Sequence, residues 1–233
     1  MNLKKKAVFN WSGGKDAGLA LQQILISNEF DIVSLLTTIE EPTTLSSVHA
    51  IPVEILLQQA KSMNMPLYTI SVAKDLSNYH QKMTEAVTYF KQQGVTHFIF
   101  GDLAASDIKT YRENFFHSLH IEVVEPLLHK TSEEVIQDFL ASGMRAKIIV
   151  VNAAKLNKEF VGKELNKQTI ESFPTDIDVC GEYGEYHTLV FAGNLFKEVI
   201  AFSIIDVQKI AYNIQLDNNE NTIVEYWQAL ITT

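Results

Sequence analysis

Residues 9–17 read Phe-Asn-Trp-Ser-Gly-Gly-Lys-Asp-Ala, an apolar β-type run that breaks at two glycines and continues into a helical pattern. This feature near the start of the chain commits it to a strand–loop–helix unit. The glycines lack Cβ, so Gly13 and Gly14 can take positive φ, aim successive N–H groups at one point and let backbone approach an anion closely. The helix that follows brings its positive N-terminal end to the same place. Ser12 adds a hydroxyl and Lys15 a positive charge. Asp16 would repel an anion, so it is expected either to cap the loop's N–H groups or to help hold a divalent cation. A Walker A loop requires Gly-Lys-Ser/Thr, but Lys15 is followed by Asp16. The G-x-G-x-x-G dinucleotide spacing is absent as well. A phosphate cradle is the expected use, with a plain tight turn as the alternative.

The first half of the chain repeats this alternation. Strands are expected at 7–11, 32–37, 67–71, 98–100 and 121–124, with amphipathic helices near 18–27, 50–63, 78–92 and 107–119. Such spacing predicts an α/β fold, a doubly wound parallel sheet of Rossmann-like type covered by helices on both faces. Beyond Pro126 the rhythm changes. A capped helix start at Thr131 or Ser132, a strand at 146–151, a polar, mostly helical stretch at 155–173 and β-rich runs near 189–191 and 199–214 predict a second, smaller α/β domain. The expected division is 1–128 and 129–233, with no flexible linker between the two.

Composition narrows the function classes. The 233 residues carry a net charge of −9, which argues against a general nucleic-acid binder. One cysteine excludes a disulfide framework, a CxxC redox pair and a cysteine-built zinc site. Apolar runs fall far short of the roughly 18 residues a membrane helix needs, and no export signal is read, so a cytoplasmic location is expected.

Two further clusters carry chemistry. Phe98–Phe100 followed by Gly101 and Asp102 is a buried-type strand ending where a parallel sheet presents ligand-binding groups. Gly101 is expected to permit close ligand approach and Asp102 to offer a carboxylate, with a simple helix cap as the alternative. Residues 178–188, Asp-Val-Cys-Gly-Glu-Tyr-Gly-Glu-Tyr-His-Thr, gather three carboxylates and a histidine. An extended Glu185–Thr188 would place Glu185 and His187 on one face, where a carboxylate could orient the imidazole. A polar hairpin loop is the alternative. His80, His97 and the pair His117/His120, read as i, i+3 on a helix, are assigned to surface or packing roles.

Ser12–Asp16 resembles the SGGKDS loop of the PP-loop ATP pyrophosphatases, with Ala17 where that family has serine. The segment Gly101-Asp102 through Asp107 to Tyr111-Arg112-Glu113 and the run Cys180–Thr188 are similar to signatures of diphthine–ammonia ligases, a branch of those enzymes. Ser47-x-His49-Ala50 is a smaller match to a substrate-side segment. The three main signatures fall in family order across residues 8–197, and the last 35 or so residues carry no readable motif. The resemblance implies an adenine nucleotide α-hydrolase-like (HUP) fold and ATP-dependent amide formation. A carboxylate would be adenylated with loss of pyrophosphate, and ammonia would then displace AMP.

ATP and Mg²⁺ are the implied cofactors. Ser12, Gly13, Gly14, Lys15, Asp16, Gly101 and Asp102 would bind nucleotide, with Asp16 or Asp102 as candidate Mg²⁺ ligands. Lys15, Asp16, Glu182, Glu185 and His187 would be catalytic. His49, Tyr111, Arg112, Glu182, Glu185 and His187 would face the substrate or ammonia. The implied carboxylate is diphthine on elongation factor 2. A bacterial PP-loop enzyme acting on another carboxylate or on tRNA, and a non-catalytic nucleotide-binding module, stay open, as does self-association.

Overall fold

The computed structural model describes residues 3–46, 49–103, 106–215 and 221–233. Ser47 lies outside the described residues, as does the Asp107 side chain.

Six strands form the first sheet: β1 (Lys5–Asn10), β2 (Phe30–Glu40), β3 (Leu45–Ser46), β4 (Leu67–Val72), β5 (His97–Phe100) and β6 (Glu122–Val124). β1 lies between β2 and β5, β4 pairs with β2, and β6 pairs with β5, all parallel. Among the described residues only β3 runs antiparallel in this sheet, against the end of β2 beyond its pairing with β1. Helices α1 (Lys15–Ser27), α2 (Val53–Ser62), α3 (Tyr79–Lys91) and α4 (Ser106–Ser118) fill the intervals.

The period-two pattern of the strands explains the double winding. In β1, Ala7 and Phe9 enter one core with Leu19, Leu21, Ile55 and Leu56 from α1 and α2. Val8 points the other way and packs with Met83, Val87, Phe90 and Phe116 from α3 and α4. A sheet buried on both faces needs near-continuous apolar strands, which is what Phe98–Phe100 supplies.

The second sheet is antiparallel, in the order β8-β7-β10-β9, from β7 (Arg145–Asn152), β8 (Tyr186–Ala192), β9 (Ser203–Gln215) and β10 (Asn221–Thr232). It is preceded by α5 (Ser132–Ala141), whose start is a capping box: the Thr131 hydroxyl accepts from the Glu134 N–H while the Glu134 carboxylate accepts from the Thr131 N–H. Buried residues of α5, β7 and β8 belong to the same core as α1, so the second sheet stands against the α1/α2 side of the first.

Three expectations change. Residues 155–173 are mostly not helical: a 3-10 turn at Lys158–Phe160 and α6 (Lys167–Glu171) flank an extended piece. That piece bonds along β7 through Gly162 N–H to Ile148 O and Leu165 N–H to Ala146 O, so tertiary pairing overrides the polar helical pattern. β10 was not anticipated, because Glu225-Tyr226-Trp227-Gln228 breaks the alternation that marks a strand. His117 and His120 do not share a helix, since α4 ends at Ser118 and His120 has φ 55°. No helix among the described residues is long and apolar enough to cross a membrane.

Candidate active site

A cavity of about 590 Å³ opens at the carboxyl ends of β1, β2 and β5 and is closed on one side by β8 and the loop before it. This is the crevice where open α/β sheets take their ligands. Its lining includes Ser12, Lys15 and Asp16 from the first loop, Thr37 and Thr38 from β2, His49, Gly101 and Asp102 after β5, and Glu182, Tyr186 and His187.

The glycine loop is shaped from both sides. Gly13 has φ +83° and turns its carbonyl away from the cavity, where it accepts from Val190 N–H at 2.9 Å and Gln59 Nε2 at 3.2 Å. The Gly14 N–H donates to Ser12 Oγ at 3.2 Å and the Lys15 N–H to Thr188 Oγ1 at 3.0 Å. The N–H groups of Ser12, Gly13 and Asp16 meet no protein acceptor among the described residues. They form, with the start of α1, an arrangement suited to an anion. Only Gly13 uses positive φ. Gly14 sits at φ −90°, and its smallness is needed because a Cβ there would lie 2.8 Å from His49 Nε2.

Lys15 is buried and grips both oxygens of Asp16, at 2.8 and 2.7 Å. It also lies 5.4 Å from the centre of the Tyr186 ring. Burial alone would lower the Lys15 ammonium, but the Asp16 carboxylate, with Cys180 and Tyr186 beside it, outweighs this and holds it well above its ordinary range. Asp16 therefore does not cap the loop. Its other contact is the Cys180 thiol, which donates at 3.5 Å.

The loop before β8 is organised by two acids. Asp178 Oδ1 accepts from the N–H groups of Cys180 at 2.9 Å and Glu182 at 3.1 Å. Glu185 is 2% exposed and accepts from Tyr183 N–H at 3.0 Å and Asp178 N–H at 3.4 Å. Strand alternation begins only at Tyr186, so Glu185 belongs to the turn, does not line the cavity, and does not share a face with His187. Glu182 does line it. Burial, then the nearby Asp16 carboxylate, pushes its carboxyl up to about 7.

His187 instead meets His49, with ring centres 4.8 Å apart. Burial and the Lys15 charge push His187 down to about 4, and burial with His187 and Lys15 nearby lowers His49 well below its usual value. Two neutral imidazoles thus face the cavity beside a buried ammonium.

The segment after β5 is arranged differently from the expectation. A Cβ on Gly101 would lie 2.7 Å from Ala17 Cα, so the absence of a side chain here is required by the packing of helix α1, beside the cavity that Gly101 also lines. Arg112 stacks 3.9 Å from the Phe100 ring centre, holds Asp102 through two bonds at 3.1 and 2.7 Å, and pairs with Glu125. Arg112 is occupied by protein carboxylates and does not line the cavity. Tyr111 is exposed outside it, with its hydroxyl 2.7 Å from His80 Nε2. His97 is buried against Thr96.

With this geometry in hand, two family models account for most of the chain: the diphthamide synthase N-terminal domain over residues 4–123 and the diphthamide synthase C-terminal domain over residues 131–218. The chain belongs to the diphthamide synthase family. It is similar to the diphthine–ammonia ligase of Schizosaccharomyces pombe, 31% identical over 107 residues, covering 44% of this chain and 18% of the relative. It is also similar to the diphthine–ammonia ligase of Mus musculus, 31% identical over 96 residues, covering 38% of this chain and 35% of the relative. The matches thus span well under two thirds of either relative.

Both halves of this family member meet at the glycine loop, and the side chains that join them were not singled out from sequence. Gln59 is fully buried and binds Trp11, Gly13 and Val190 at once. A glutamine inside an otherwise apolar helix face was the available signal, because a buried amide must be fully bonded. As to a cation, Asp16, Cys180 and Glu182 bring ligand atoms within 4.8 Å of one another. The two carboxylates suit a hard divalent ion, which would relieve the part of the upward shift of Glu182 that comes, after burial, from the nearby Asp16 charge. Asp102 lines the same cavity but falls outside this group and pairs with Arg112.

Proposed function

We propose that this chain is an ATP-dependent, AMP-forming carboxylate–ammonia ligase of the diphthine–ammonia ligase type. One observation carries the reading. A single cavity joins the Ser12–Asp16 loop to the Cys180–Thr188 segment, in direct contact through Lys15 N–H and Thr188 Oγ1. The names of the relatives supply diphthine and ammonia as substrates, and the carboxylate is taken to be that of diphthine on elongation factor 2.

The residues divide the work as follows. The free N–H groups of Ser12, Gly13 and Asp16 and the α1 terminus receive phosphate oxygens and stabilise the charge that builds there as the carboxylate oxygen attacks the α-phosphorus and pyrophosphate leaves. Lys15, neutralised by Asp16, sets the position of that carboxylate and contributes only a residual positive field. Asp16 and Glu182 are the residues that would hold Mg²⁺, whose chemistry is to neutralise phosphate charge. In the second step the ammonia nitrogen bonds to the acyl carbon, the acyl carbon–oxygen bond breaks and AMP departs. The attacking nitrogen then loses a proton. His49 and His187, both neutral, can each accept one hydrogen bond and donate another, which suits an uncharged nucleophile and an acyl oxygen.

The test is product identity. Purified protein with ATP, ammonium and diphthine-bearing elongation factor 2 is expected to release AMP and pyrophosphate and to form the amide. ADP and phosphate as products would overturn the reading.

A further inference from the structure

The Gln59 side chain sits at the junction of three parts of the molecule. Its Oε1 accepts from the indole N–H of Trp11 at 2.8 Å, and its Nε2 donates to Val190 O at 2.7 Å and to Gly13 O at 3.2 Å. Trp11 lines the cavity, Gly13 is the residue at positive φ in the glycine loop, and Val190 lies on β8, the strand that carries His187 and Thr188. The side chain has no exposed surface. It spends its acceptor and both amide hydrogens on these partners, so it cannot rotate or flip without leaving a buried carbonyl unpaired. The Gly13 carbonyl is also bound by Val190 N–H, so the peptide that shapes the loop is clamped to β8 twice, once directly and once through Gln59.

We propose that Gln59 is a positioning residue that makes the phosphate-binding conformation of the glycine loop depend on β8. The loop and the His187-bearing strand are then one mechanical unit, and nucleotide seated on the loop is registered against the groups that handle the acyl transfer. Gln59 touches neither reactant; it acts through the Gly13 peptide. This inference rests on reading the cavity as an ATP site.

The experiment compares wild type with Gln59→Met and Gln59→Glu. Methionine keeps the volume and donates nothing. A buried glutamic acid among carbonyls stays protonated, so it can accept from Trp11 and donate to one carbonyl. The expected order of ATP affinity is Gln, then Glu, then Met, with the Met variant weaker by about tenfold or more. KM for ATP is expected to follow this order while KM for ammonium stays within about twofold. A merely structural defect would lower the active fraction and leave both KM values unchanged. Equal ATP affinity in folded variants overturns the proposal.

A third measurement uses the wild type alone and covers variants that fail to fold. Hydrogen exchange at the Val190 amide is expected to slow on ATP binding. Unchanged exchange at Val190 in the ATP-saturated protein overturns the coupling. Wild type that binds ATP without releasing AMP would retire the ligase reading, and direct ATP titration of the variants would still decide the role of Gln59.

Discussion

Replacing Gly13 with alanine tests the loop geometry most directly, because two independent penalties apply at that position. Its φ of +83° is a conformation that L-residues adopt at a cost of about 1–2 kcal/mol. A Cβ there would also stand 2.8 Å from both Ile51 Cδ1 and Leu56 Cδ2, and 3.1 Å from Gln59 Oε1. Ile51 and Leu56 have no exposed surface, so neither can swing into solvent. Overpacking of this kind costs about 1–3 kcal/mol. Alanine recovers about 0.4–1 kcal/mol by restricting the unfolded chain. The net loss is about 1–4.6 kcal/mol. For a chain of this size that corresponds to a fall in Tm of roughly 2–18 °C. Gly14→Ala provides the contrast. At φ −90° it carries no backbone penalty, and the contacts a Cβ would meet are the His49 side chain at 2.8 Å and the Thr188 carbonyl at 3.2 Å. It is expected to cost under about 1 kcal/mol in stability while displacing His49. Urea titration and thermal scans of the two variants settle the matter. The reasoning fails if Gly13→Ala lies within about 0.5 kcal/mol of wild type, or if Gly14→Ala is the more destabilised of the two.

Arg112→Leu leaves Glu125, whose side chain is 3% exposed, as an uncompensated buried charge, so urea unfolding is expected to show a loss of about 3–5 kcal/mol. Arg112→Lys should recover only part, since an ammonium cannot hold Asp102 through two bonds and stack on Phe100. In stability-versus-pH curves His187 is neutral in the fold down to about 4 but titrates near 6.5 when unfolded. The unfolded state therefore binds more protons in that window, and stability rises with pH across it. His187→Gln is expected to flatten that rise, and an unchanged slope would refute the assignment. Glu182 acts in the opposite sense: with its carboxyl raised to about 7 from 4.5, the fold holds the extra proton, so stability falls as pH rises between those values. Glu182→Gln should remove that fall. Burial pushes the Cys180 thiol up, so a thiol-specific reagent is expected to modify it only after denaturant is added. Rapid labelling of the native protein would contradict this.

The parallel sheet was legible because its signals are local. Phe98–Phe100 is an apolar run of strand length, Gly13 and Gly14 interrupt a strand–helix junction, and Thr131 with Glu134 announces a helix start. In each case the residues that set the conformation lie within a few positions of one another, so backbone sterics and capping act before any tertiary contact forms. The same holds for the chemistry of residues 178–188, where the density of acids and histidine marked the segment although not its geometry. Residues 155–173 and β10 were not readable, because pairing with β7 and β9 outweighs their own weak or irregular periodicity.

The partners of the site side chains were set by the fold. His49 and His187 are far apart along the chain, and neither could be assigned to the other before β8 was placed against the glycine loop. Local reading put Glu185 beside His187, but the chain leaves the turn only after Glu185, and its carboxylate is used up by Asp178 and Tyr183 N–H groups. Arg112 was read as facing a ligand, yet it is held by Asp102 and Glu125 off the cavity, and Asp102, which does line the cavity, is paired bidentately with it. Gln59 shows the limit most clearly. Its residue type says only that three polar bonds must be found somewhere, and it takes the packed contact of α2, the glycine loop and β8 to say which. Local sterics and periodicity act over a few residues, whereas the pairing of buried polar groups is decided by whichever partners the finished core brings within 3 Å of each other.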